Sequence, residues 1–152
     1  KKLFIELSNS DYICFKNWHR NRVYLEVLAC IRIGHDSIYK ILSQYLKYKF
    51  NGFKDDRDLI ASGVLLRKHL KQNIINFQEE WMYQIYSKSI RDQLSFNYVA
   101  DVEDLNYSIF NENMQDFFSL SKHKRYGYYK NNKLKIPLQR KIYKLLELLK
   151  NK

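Results

Sequence analysis

"SIRDQLSFNYVA", residues 89–100, sets a polar start against an apolar run. Ser89, Arg91 and Asp92 come first. Leu94, Tyr98 and Val102 then recur four residues apart, the spacing of one helical face. The stretch reads as a helix start, and the question is what its acid does. Ser89-Ile-Arg-Asp92 has capping-box spacing, and Asp92 could instead be the N-cap itself. A carboxylate there gains about 0.3–1 kcal/mol from the helix dipole. The same geometry also serves chemistry. A carboxylate fixed at a helix start, beside a cleft, can take a proton or hold a sugar hydroxyl. Arg91 beside it would keep it ionised. From these residues alone the capping role is the stronger reading.

The flanking sequence supplies the rest of the fold. Just upstream, Asn73 caps a helix carrying Ile74, Phe77, Trp81 and Ile85 on one side. Before it, "IASGVLLRKH" gives a short strand around Val64 to Arg67. Further back, Val23, Val27 and Ile31 line a helix over Arg22 to Ile33, which Gly34 closes. Asp36 or Ser37 caps the next helix, striped by Ile38, Ile41, Leu42, Tyr45 and Leu46 and closed by Gly52. So short a turn makes these two helices neighbours. Leu3–Leu7, Tyr12–Phe15 and Tyr107–Phe110 are β-prone runs. A last helix, Leu138 to Leu149, carries Ile142, Leu145, Leu146 and Leu149. The order predicts a mixed, helix-rich α/β layer with few strands. Residues 1–135 form its body and residues 136–152 a basic amphipathic tail helix. The strands are too few for a complete doubly wound domain, and the chain opens Lys1-Lys2-Leu3. Both features suggest a piece of a larger fold.

With 152 residues, 45% of them hydrophobic, the chain can bury an ordinary core and is not disordered in composition. Its net charge of +11 suits an anionic partner: nucleic acid, a phosphate-bearing substrate or an acidic lipid surface. Abundant Lys, Asn, Ile and Tyr also fit AT-rich coding, which weakens that argument. Cys14 and Cys30 form no CxxC and read as buried free thiols in a reducing compartment. No apolar run approaches the length of a transmembrane helix, and no stretch reads as a signal peptide. The expected location is cytoplasmic, with peripheral membrane contact through the tail helix as an alternative to plain docking. That helix has no Trp or Phe to enter a bilayer, which favours docking.

Other constellations are weaker. His19, Arg22 and Glu26 gather near one helix start, where a phosphate or sugar would fit, although a solvated first turn explains them as well. Asp56-x-Asp58 could hold a cation but lacks a preceding apolar strand. The four histidines show no metal-ligand spacing. His123 sits in "SKHKRYGYY", either a basic surface loop or a metal, pyrophosphate or nucleic-acid contact.

The blocks together resemble a glycosyltransferase-like family first filed as a domain of unknown function. That family has plant members linked to pollen tubes and seed mucilage, and bacterial members in polysaccharide loci. The likeness runs through roughly His19 to Val99. It uses His19, Arg22, Tyr24 and Glu26; Gln44, Tyr45 or Tyr48, and Gly52; Gly63, Arg67 and His69; and Trp81 followed by Ser89 and the unbroken RDQLSF of Arg91 to Phe96. Arg20 stands where the family often has proline. The family's "W-I-D-G-N" strand, which should precede His19, is absent.

The resemblance implies the C-terminal, acceptor-side half of a GT-A-like glycosyltransferase. Such an enzyme transfers a sugar from a nucleotide-sugar donor to a glycan or polysaccharide acceptor. Asp92 and Gln93 would line the cleft. Asp92 would act as the base in an inverting reaction, or position the donor sugar in a retaining one. His19, Arg22, Glu26, Arg67 and Arg91 would bind substrate, with Arg67, Arg91 or His19 meeting diphosphate charge. A divalent cation, Mn or Mg, is implied, with His123 as candidate ligand by position. A basic nucleic-acid-binding module without catalysis is the alternative, but it leaves RDQLSF unexplained.

Overall fold

The computed structural model describes residues 9–118 and 136–150. Alternation in Tyr12–Lys16 (β1) sends Tyr12 and Cys14 to one face of a sheet and Ile13 and Phe15 to the other, and all four are buried. A strand covered on both faces sits centrally. β1 pairs antiparallel with Ile60–Arg67 (β2) and parallel with Tyr107–Phe110 (β3), giving the order β2-β1-β3. The β1–β2 register slips between Cys14 and Phe15, which face Leu65 and Ala61. Ser62, Gly63 and Val64 therefore bulge from the ladder. β2 starts earlier than the expected Val64, because Ile60 and Ala61 continue the pairing as far as Lys16.

Five helices accompany this sheet among the described residues: Val23–Ile33 (α1), Ile38–Phe50 (α2), Gln72–Ser87 (α3), Asp92–Val102 (α4) and Ile136–Lys150 (α5). The protein is thus a mixed α/β fold around a small three-stranded sheet. Gly34 ends α1 with φ 77°, donating its N–H to the Cys30 carbonyl at 2.9 Å. This is the left-handed cap that glycine supplies without a Cβ penalty. The expected strand at Leu3–Leu7 lies outside the described residues.

On the Tyr12 face, Phe96 of α4 meets Tyr12, Phe77, Trp81 and Tyr107 with ring centroids 5.1–5.8 Å apart. Edge-to-face contacts of this kind add to plain area burial. α1, α2, Phe53, Leu59 and Leu94 form a second cluster, joined by Tyr143 and Leu146 of α5. The tail helix is docked on α1: Tyr24 donates to the Leu146 carbonyl at 2.9 Å, and the Arg32 guanidinium lies 5.7 Å from the Tyr143 ring centroid. Cys14 and Cys30 are buried free thiols. Burial pushes both thiols up, with the Glu26 charge adding to it at Cys30. No helix among the described residues is long and apolar enough to cross a membrane.

Candidate functional site

The node begins where β1 ends. Asn17 is buried, and its Oδ1 accepts the amides of His19 and Arg20 at 2.9 and 3.1 Å. That Asx turn bends the chain out of the sheet. It leaves His19 exposed and directs Arg20 back toward α1. Glu26, fully buried in the first turns of α1, receives the Arg20 guanidinium on Oε2. Its Oε1 accepts from Arg91 Nη2 at 2.9 Å and from the Cys30 thiol at 3.3 Å. One buried carboxylate thus joins the carboxyl end of β1, helix α1 and the residue before α4. Such a charge is tolerated only because several donors replace its water.

Arg91 also donates to Gln93 Oε1 at 3.2 Å. Its Nε is buried without a partner, an unspent donor at the same node. Burial opposes its charge, but Glu26, aided by Cys30 and Asp92, holds its pKa above the ordinary arginine value. His35, just past α1, is affected in turn. Burial first, then the Arg91 and Arg20 cations, depress its pKa against the pull of Glu26.

The expected capping box does not form. Arg91, not Ser89 or Asp92, occupies the N-cap, and it makes no side-chain cap bond. Ser89 is buried elsewhere. Its amide reaches Gln44 Oε1 at 3.2 Å, and its Oγ accepts from the Arg91 amide at 3.3 Å. Asp92 is the first helical residue, half-buried, with Oδ1 accepting the Gln93 amide at 2.9 Å. The rest of the motif is a packing unit. Trp81 Nε1 and Ser95 Oγ both donate to the Asp92 carbonyl, at 3.1 and 3.2 Å, and Phe96 packs on Trp81.

The sequence-predicted residues therefore divide. Glu26, Arg91 and Gln93 are in direct contact, Asp92 is next to them in the chain, and His19 adjoins through Arg20. Arg22 turns away: its partner is Asp58 at 3.7 Å rather than Glu26 one turn on. Asp58 in turn receives Lys16 at 2.8 Å, so the Asp56-x-Asp58 pair is not held open for an ion. Arg67 pairs with Tyr12 at the opposite end of β1, about 13 Å of strand from Lys16 and the turn that follows it. His123 lies outside the described residues. Among those described, no three His, Cys, Asp or Glu side chains are grouped to hold a metal. They do not by themselves fit the divalent cation that the resemblance implies.

Arg20 and His35 are the members of the node that sequence reasoning missed. The one signal was negative: Arg20 stood out only for not being proline.

Three clefts among the described residues lie away from this node. One of about 440 Å³, between the α2–β2 connection and the end of α4, is lined by Lys54, Asp56, Arg57, Tyr98 and Asp101 among others. A second, of about 490 Å³, shares Arg57 and includes Asp104 and Tyr107. A third, of about 230 Å³, runs along β3. Asp92 lines none of these three.

No protein-family model, curated protein or solved structure matches the chain.

Proposed function

We propose that this chain is the acceptor-side part of a sugar-transfer enzyme, working on a nucleotide-sugar donor and a glycan acceptor with a GT-A-like arrangement. The observation that carries the reading is the Glu26 node. Arg20 follows the carboxyl end of β1, and Arg91 opens the RDQLSF stretch; both close on one buried carboxylate. In open α/β sheets, ligands bind outside the carboxyl ends of parallel strands, and β1 and β3 are a parallel pair. The hexapeptide that bears the resemblance thus opens at the edge where a substrate would be expected. The Arg91 side chain is 28% exposed and can meet a substrate oxygen there, and Gln93 is held beside it.

Asp92 has one oxygen on its own turn and is the candidate base or sugar-positioning group. Glu26 is a positioning residue, since it reaches substrate only through the arginines it holds. A divalent cation, if used, would be held by residues beyond those described.

The test has two arms. In the protein as encoded, Asp92→Asn should lower transfer by at least about 100-fold if Asp92 acts as general base. With the chain itself, oligosaccharide acceptors should shift the amide resonances of Gln93 and its neighbours. Near-native turnover in the variant removes the role of Asp92. Failure of every oligosaccharide and nucleotide sugar to perturb the start of α4 removes the reading altogether.

A further inference from the structure

The outward face of α2 has no part in the node. Its inner face, Ile41, Gln44 and Tyr48, is buried. On the opposite side Tyr39, Leu46 and Phe50 are 79%, 63% and 93% exposed. Their spacing of seven and four residues places them on one helical stripe. Solvated helix faces normally carry charge of both signs, and this one does not. α2 contains no Asp or Glu. Its charges are Lys40, Lys47 and Lys49, all exposed. Lys49 closes the helix end by donating to the Phe53 carbonyl at 2.8 Å. Lys40 and Lys47 have no ion pair among the described residues.

We propose that α2 is the contact through which this protein lies on an anionic lipid bilayer. Tyr39, Leu46 and Phe50 enter the headgroup–acyl boundary, and Lys40 and Lys47 meet the anionic headgroups. Three observations select a bilayer over other occupants. The stripe is a convex ridge of one helix, suited to a soft planar surface. Its flanks are cationic and the helix itself carries no acid, which complements anionic lipid. A second copy applied to the same face would set Lys40 and Lys47 against their own equivalents. The overall charge of +11 adds long-range attraction to the same surface. This assigns the contact to α2 rather than to the tail helix, which is docked on α1 and, among its described side chains, exposes Leu145 and Leu148 as large apolar groups. The inference stands whether or not the chain transfers sugars.

The experiment is co-sedimentation of the full chain with phosphatidylcholine vesicles, with and without phosphatidylserine. The protein should bind only the phosphatidylserine vesicles and come off in high salt. Leu46→Ser with Phe50→Ser should lower the partition coefficient at least about tenfold. Lys40→Glu with Lys47→Glu should lower it at least about 25-fold, about fivefold per lysine. All four side chains are exposed, so circular dichroism and the urea midpoint should not move. Leu145→Ser with Leu148→Ser should bind as the wild type does. The proposal is overturned if the wild type ignores phosphatidylserine, or if the α2 variants bind normally. It is equally overturned if only the tail-helix variant loses binding, or if light scattering shows a dimer that the α2 variants dissolve.

Discussion

Helices α1 and α4 each start beside an aspartate, and these two acids are used in opposite ways. At α1 the N-cap residue, Arg22, offers no side-chain cap. Asp55, from the loop before β2, accepts the Val23 and Tyr24 amides at 2.8 and 2.9 Å, and Tyr45 reaches it at 3.4 Å. It is buried and takes a positive φ of 58°, a conformation aspartate tolerates better than most residues. At α4 Asp92 is local and half-buried, with one amide of its own turn as partner. The sequence drew attention to both places and weighted them differently. Asp55 belongs to an acidic loop that could pass for an ion site, yet its oxygens are spent on holding α1. Asp92 looked like a cap and caps little. An acid spent on structure is one whose oxygens meet donors from distant chain; an acid left for chemistry meets few.

Variants can break or sharpen that contrast. The largest effect should come from the node that fixes both regions. Glu26→Ala strands the Arg91 charge against the core, and urea unfolding should show a loss of about 3–5 kcal/mol. Next, Asp55→Ala should cost about 1–2 kcal/mol by removing two capping bonds. Asp92→Asn should cost less than about 1 kcal/mol, since only the dipole interaction and one local bond change. If Asp92→Asn destabilises as much as Asp55→Ala, the two acids are both structural and the contrast fails. The smallest effect concerns His35. Its folded-state pKa lies below the ordinary 6.5, so the unfolded chain takes up its proton first. The stability this group supplies is present above about pH 6.5 and is lost as the pH falls below it. His35→Gln should flatten that part of the pH–stability curve. An unchanged slope would mean that the arginines of the node do not act on His35.

Much of the fold was legible because it rests on local periods. The Val23–Val27–Ile31 and Ile74–Phe77–Trp81 stripes lie inside α1 and α3, Gly34 takes the left-handed cap, and β1 and β3 coincide with their β-prone runs. β2 was read short because Ser62 and Gly63 weaken its strand signal, and they bulge from the ladder. The start of α4 was placed correctly but its cap was not. Capping-box spacing is a two-residue pattern, and the buried Gln44 amide competes for the same backbone. Arg22 was expected near Glu26 one turn away, and Asp58 holds it instead.

The sequence by itself determined where most helices and strands run, since those depend on residues two to four apart along one chain. Only the tertiary structure decided which charges meet. Glu26 finds Arg91 across 65 residues, and Asp55 reaches Tyr24 across 31. Nothing local marks either pair. Both form because a buried carboxylate must be given donors, and the fold determines which donors are within reach.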